Sequence, residues 1–307
     1  MLKFAVVRED FEVEAALVEA AGARACLVVA SGGCTALALK HRFPGLEVHA
    51  FDVNPDQLAH GREKAVAIAG RALEALNVDV GDPAGLSQRG EFEKLFRVLR
   101  AALVELVTGE ADLERFFVDP SSRPGLLSAW TRSPYWPACF EVAFTEGLLH
   151  AMFGPDATRH APRGSYPAYF QRAFERGLRR GDAGENPYLQ HVLLQRYRTP
   201  PAFLTSGARL DVAWHLGTLT DVPALERFGV VSLSNVFDWS DEALVAAWAR
   251  ALESLRPGAL VVYRQLNNQR DWRAHFPGFA EDVALSDEWT HRERALFYER
   301  VTVLRRT

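Results

Sequence analysis

From Ala25 to Asp52 the chain reads ACLVVA, then SGGCTALALKHRFPGL, then EVHAFD, and no other stretch restricts its fold so strongly. ACLVVA is a short apolar run rich in β-branched residues that stops at two glycines, the pattern of a parallel strand buried on both faces. Thr35 to His41 has helical character and is closed by Pro44-Gly45. Glu47 to Phe51 is a second strand, with Asp52 directly after it. Asn54-Pro55-Asp56 then opens another helix, Pro55 suiting its first turn. A β-α-β-α start implies a parallel sheet with right-handed crossovers, so the expected class is α/β, Rossmann-like and mostly parallel.

The strand signals stop after the second strand. From about Gln57 to Phe203, segments such as Glu91 to Val107 and Tyr169 to Arg180 carry apolar residues at helical spacing with charges between them. This predicts a large helical insertion over 61–204, with the sheet built from 1–60 and 205–307. The insertion is rich in aromatics, among them Phe116, Trp130, Trp136, Phe140, Phe144 and Phe170. They form either an apolar tunnel or lid, or a helical core of their own. Afterwards Leu210 to Leu216, Gly229 to Leu233 and Ala259 to Gln265 read as strands and Asp241 to Leu255 as a helix. The tail RALFYERVTVLRR reads as a last strand, with Val283 to Trp289 as its pairing partner.

Composition removes several function classes. The net charge of −4 contains 35 Lys and Arg, a balance without the basic excess of a nucleic-acid binder. Cys26, Cys34 and Cys139 have neither zinc-site spacing nor the even number of a disulfide framework. No run of about 18 apolar residues occurs, and acidic residues interrupt the N-terminus before a signal core can form. A cytoplasmic chain is expected, with peripheral membrane contact left open. The nine histidines make no metal motif, and the G-x-S-x-G elbow of a hydrolase is missing.

Ser31-Gly32-Gly33 at the end of the first strand offers a backbone that a ligand can approach and the N–H groups of the following helix. Asp52, ending the second strand, is placed to accept from ribose hydroxyls. The full G-x-G-x-x-G fingerprint is missing, so a single nucleoside fits better than a dinucleotide. The alternative is a plain tight turn with Asp52 capping a helix.

Five segments, VVREDFEVEAAL, SGGCTALAL, HAFDVNPDQLA, ENPYLQHVLLQRY and SLSNVFDW, resemble in the same order the S-adenosylmethionine:diacylglycerol 3-amino-3-carboxypropyltransferases of betaine-lipid synthesis. The resemblance runs over nearly the whole chain. It implies a class I methyltransferase-like fold whose sheet domain binds S-adenosylmethionine (SAM). It also implies transfer of the aminocarboxypropyl arm to a hydroxyl acceptor, releasing methylthioadenosine. Family members usually carry Asp-Asn after Ser-Gly-Gly, where this chain has Cys34-Thr35, and Ala30 replaces a common first-strand acid. The acceptor is thus diacylglycerol or a smaller alcohol or phenol. A conventional methyltransferase and a non-catalytic SAM-binding protein are the other readings.

On that resemblance Asp52 holds the ribose, and Ser31, Gly32 and Gly33 approach the methionine arm. Asn54 and Gln57 orient the ribose edge or the adjoining loop, or are turn and helix-face residues. Gly217, Thr218 and Leu219, after the third strand, flank the adenine. Ser234 and Asn235, after the fourth, face the amino-acid portion. Glu9 and Asp10 are candidates for the α-ammonium and Arg264 for the carboxylate, since fixing both ends aligns the γ-carbon; Arg8 and Glu9 could instead pair on the surface. Asp238 is either a base for the acceptor hydroxyl or a helix cap before Glu242. His215 is a second candidate base or a satisfied core histidine. Glu185, Asn186 and Tyr188 line the acceptor entrance, with Tyr188 a catalytic candidate or plain core.

Overall fold

The computed structural model describes residues 1–307. Seven strands form one mixed sheet: β1 (Ala25–Val29), β2 (Glu47–Asp52), β3 (Ala213–Leu216), β4 (Val230–Ser232), β5 (Leu260–Gln265), β6 (Phe279–Glu281) and β7 (Arg300–Arg306). Their order is β3-β2-β1-β4-β5-β7-β6. The first five are mutually parallel, and β7 runs antiparallel to β5 and β6. This is an α/β architecture compatible with a Rossmann-like fold. Strand order reverses at β1 and β4, and the crevice outside their carboxyl ends is where open α/β sheets bind ligands.

Helix α1 (Glu12–Ala21) packs on β4 and β5, α2 (Cys34–Arg42) on β2, and α3 (Pro55–Ala69) on β2 and β3. Asn54 caps α3 by accepting from the Asp56 N–H, with Pro55 at its first position, as the sequence implies. Between α3 and β3 every regular element is helical: α4 (Glu91–Leu106), α5 (Glu110–Val118), α6 (Arg123–Arg132), α7 (Tyr135–Ala143), α8 (Glu146–Phe153), α9 (Tyr166–Leu178), α10 (Pro187–Leu193) and α11 (Ala202–Thr205). Two more, α12 (Glu242–Leu252) and α13 (Val283–Arg292), complete the fold. No helix is long and apolar enough to cross a membrane.

The aromatics of the helical layer fill its centre. Phe144 stacks on Phe170 with ring centroids 4.0 Å apart, and Phe96 meets both Phe144 and Phe174. They form a packed core, which takes the place of the tunnel or lid considered from sequence. Leu296 and Phe297, close to the last strand, belong to this same core. The division at residue 205 is therefore crossed by shared packing.

Two further expectations change. Val283 to Trp289 is the start of α13, not a strand; Asp282 accepts from the Leu285 N–H and starts the helix, and β6, just before it, is the strand that pairs with β7. Ser286 and Trp289 are the buried residues of α13. Their spacing of three fits a helix and breaks the alternation a strand requires. The third strand is also shorter than predicted, beginning at Ala213.

Candidate functional site

The switch-point crevice is bounded by two serines in a backbone conformation that non-glycine residues seldom adopt. Ser31, after β1, has φ 44° and Ser234, after β4, has φ 55°. Such strain persists where surrounding bonds over-determine it. The Ser31 N–H donates to Asp52 Oδ2 at 3.1 Å, and the Ser234 carbonyl accepts from the Arg264 N–H at 2.8 Å.

The two glycines have a different immediate use from the one expected. A Cβ on Gly32 would lie 2.8 Å from Ala5 O and Val6 Cα, so the chain's own N-terminal segment is what approaches that backbone. Gly33 has φ 80° and makes the bend that starts α2. Gln57 fastens this arrangement. Its side chain accepts from the Lys3 and Phe4 N–H groups and donates to Phe4 O and Ser31 O, so it serves the adjoining loop, one of the two roles expected. Lys64, wholly buried, donates to Ala5 O, to Gly32 O at 3.0 Å and to Cys34 Sγ at 3.2 Å. His60 Nε2 lies 2.9 Å from Ala5 O; burial, with Lys64 nearby, lowers its pKa to about 3 and keeps it neutral.

Asp52 sits half-buried at the carboxyl end of β2. Besides Ser31 it accepts from the Asn54 N–H at 2.9 Å, and burial raises its carboxyl against the pull of these two bonds. Asn54 is occupied with the α3 cap and with Met1 O. The Gly217 N–H donates to Asp52 O at 3.0 Å, bringing the end of β3 alongside.

The rest of the third-strand group turns away. His215 Nε2 lies 2.8 Å from His49 Nδ1 on β2, the rings stacked, and burial lowers the pKa of both. This pairing within the β2–β3 layer is the satisfied-histidine alternative. Thr218 makes a capping box with Asp221, and Leu219 is wholly buried in the core. Neither side chain is free to flank an adenine.

Beneath Ser234 lies a buried ionic cluster. Arg264 is fully enclosed and uses every guanidinium nitrogen: Nη1 and Nη2 on Glu14 at 2.6 and 3.1 Å, Nη1 also on Glu9 at 3.2 Å, Nε on Glu293 at 3.0 Å, and Nη2 on Asp10 O. It has no edge left for a ligand carboxylate, so the role expected of it is corrected. Asp10 is similarly held, between Arg294 Nε and Nη2 at 2.6 and 2.7 Å. Tyr188 donates to Glu9 O at 2.7 Å, and burial drives its phenol well above its ordinary value; its hydroxyl anchors a backbone, the use of a core tyrosine.

Glu9 differs from its neighbours in facing the crevice side. Oε1 accepts from Ser234 Oγ and, at 3.3 Å, from Tyr298. Burial raises its carboxyl, with Arg264 opposing, and lifts Glu293 to about 8 for the same reason. Four carboxylates (Glu9, Asp10, Glu14, Glu293) face two guanidinium groups (Arg264, Arg294). Burial is the main cause of both raised values, and it favours protonated carboxyls at Glu9 and Glu293.

Arg8 is the converse. It is 5% exposed, donates through Nη2 to Glu93 at 3.1 Å and lies over the Phe96 ring, while Nε and Nη1 have no partner. A buried guanidinium with two unmet donors is costly unless something accepts from them. It is not the surface partner of Glu9 considered from sequence.

Asp238 is a buried acid outside this cluster. Its Oδ2 accepts from the Leu266 N–H at 3.0 Å and from Asn235 Nδ2 at 3.3 Å, and Asn268 Nδ2 donates to Oδ1. Burial lifts it to about 7 in spite of these three donors. The helix-cap alternative fails because Asp241 caps α12, accepting from the Leu244 N–H at 2.8 Å.

The structure thus places Ser31 with Asp52, and Glu9 with Ser234, Asn235 and Asp238, in two hydrogen-bonded groups at the carboxyl ends of neighbouring parallel strands, and sets His215, Leu219, Tyr188, Arg264 and Asp10 in supporting positions. Arg8, Glu14, Glu293, Tyr298 and Asn268 are additions that sequence reasoning missed. Only the charged run around Glu9 hinted at any of them. No family model, curated protein or solved structure matches the chain.

Proposed function

We propose that the chain is a SAM-dependent 3-amino-3-carboxypropyltransferase acting on a hydroxyl acceptor, on a class I methyltransferase-like fold carrying a helical insertion. The observation that carries this reading is the pair Arg8–Glu9. Adjacent residues of the N-terminal segment present a buried guanidinium with two unmet donors and a carboxyl held by Ser234 at the end of β4. An α-amino acid zwitterion would set its carboxylate on Arg8 and its ammonium by Glu9, and holding both ends of it fixes the γ-carbon. The strand order supports the fold, and Asp52 supports a ribose beside the Ser31 loop.

Bound SAM would supply a sulfonium that makes its γ-carbon electrophilic and leaves as methylthioadenosine. The protein's part is to aim and to take a proton. Glu9 and Arg8 fix the arm, Ser234 and Tyr298 orient Glu9, and Asp238 receives the acceptor's hydroxyl proton on Oδ1 or Oδ2 as the new C–O bond forms. Three donors hold that carboxylate in one orientation, and a value of about 7 suits a base working near neutrality.

Mass spectrometry of the nucleoside released from SAM and a panel of hydroxylated acceptors tests the reading. Methylthioadenosine above a no-enzyme control, with an acceptor gaining the aminocarboxypropyl mass, is expected. S-adenosylhomocysteine would instead identify a methyltransferase, and SAM binding with no product a non-catalytic binder. Arg8→Gln, which keeps a donor for Glu93, should weaken SAM binding by about 1.5–3 kcal/mol, the worth of a hydrogen bond to a charged group. Calorimetry showing native affinity would remove Arg8 from the arm site.

A further inference from the structure

A cavity of about 540 Å³ opens on the far side of Asn268 from Asp238, between the helical layer and the loop after β5. Its volume suits a small ligand. Only one of its ten lining residues is hydrophobic, so it offers an acyl chain almost nothing. Arg159, Arg172 and Arg270 line it, with Glu299 as the single carboxylate. Arg159 and Arg270 each pair on one side with an acid that does not line the cavity, Asp156 and Glu242, both at 2.6 Å. Arg172, exposed on α9, pairs with none. Burial lowers the pKa of His160 in the same wall, and the wall's positive excess rests on the arginines.

Asn267 and Asn268 connect this cavity to the crevice. Asn268 donates to Asp238, and Asn267 Nδ2 donates to Ser165 Oγ at 2.6 Å, tying the loop to the start of α9. Asn268 thus stands between the arginine-lined cavity and the buried carboxyl of Asp238.

Resting on the transferase reading above, we infer that the acceptor is a hydroxylated anion: a carboxylate or phosphate held by Arg172 with Arg159 and Arg270, its hydroxyl directed past Asn268 to Asp238. Guanidinium forks match both anions in geometry as well as charge. In the transfer, the hydroxyl oxygen bonds to the γ-carbon of SAM while the γ-carbon–sulfur bond breaks. That electron pair stays on sulfur, giving neutral methylthioadenosine, and the hydroxyl proton passes to the ionised Asp238. An uncharged diacylglycerol meets none of the cavity's cations.

The test is direct binding by calorimetry to the full chain, using glycerol 3-phosphate, glycerate and 4-hydroxybenzoate as hydroxylated anions, glycerol as the uncharged counterpart, and phosphatidylglycerol vesicles for the same chemistry presented by a lipid. At least one anion or the vesicles should bind, glycerol should not, and Arg172→Glu should weaken that binding at least tenfold. Binding by soluble anions points to a free acceptor, and binding by vesicles alone to a headgroup. No binding by any anionic probe, or binding unchanged in Arg172→Glu, overturns the inference. The nucleoside assay separates the two claims. Methylthioadenosine formed with an uncharged acceptor keeps the transferase and discards the anionic acceptor; Arg172-dependent anion binding with S-adenosylhomocysteine as product does the reverse.

Discussion

Asp238→Asn is expected to bind SAM with native affinity and to lose turnover by roughly 10²- to 10⁴-fold, the range that a positioned general base contributes. The amide fills the same space but accepts no proton; its oxygen can keep the Leu266 N–H, while Asn268 stays oriented by the Arg270 N–H and Gln265 Nε2 that its own Oδ1 accepts from. The pH dependence follows from the direction of the shift. With its carboxyl raised to about 7, Asp238 is protonated and inert as a base at pH 5 to 6, so kcat should climb as pH rises through about 7 and then level off. The variant should keep a small residual rate without that rise. Full activity in the variant, or a wild-type profile flat from pH 6 to 8, would remove Asp238 from proton transfer.

Arg264→Met should lower stability by about 3–5 kcal/mol, the usual cost of removing one partner from a buried ion pair. Methionine fills the volume but leaves Glu9, Glu14 and Glu293 facing one another without the guanidinium that all three share. Those carboxyls then hold protons in the folded state at a pH where the unfolded chain has lost them. A folded-state pKa raised above the unfolded value costs stability as pH rises from the unfolded value toward the raised one. The deficit in a denaturant melt should thus widen from pH 5 to pH 8. A loss below 1 kcal/mol at pH 8 would mean that water or rearrangement compensates the carboxylates.

The elements legible in the sequence are those whose signal is local. β1, β4 and β5 open on short apolar runs buried on both faces, and Asn54-Pro55 announces α3 by cap chemistry that needs no distant partner. The place of Asp52 at the end of the second strand is legible for a similar reason, and there it accepts from the Ser31 and Asn54 N–H groups. Arg264 was misread because an arginine in a strand looks alike whether free or saturated. The difference lies in Glu14, 250 residues away, and in Glu293. Arg8 beside Glu9 suggested a surface pair, and only the packing of α4, which brings Glu93 and Phe96 to it, makes it buried and unmet. Thr218 and Leu219 were placed by analogy to a ligand edge, whereas a capping box and a core position claim them locally.

The N-terminal segment that lies on Gly32 also constrains the order in which the molecule can assemble. Lys3 and Phe4 bond to Gln57, Ala5 and Val6 to Glu93, Glu9 to Ser234 and Tyr298, and Asp10 to Glu293 and Arg294, across separations of 53 to 289 residues. Each such contact closes a loop whose entropy must be met before the contact stabilises anything, and chains dominated by distant pairings fold slowly. The residues of this segment are therefore among the last to take their places. Until the stretch leading into the final strand is in place, Glu9 lacks Tyr298 and Arg264 lacks Glu293.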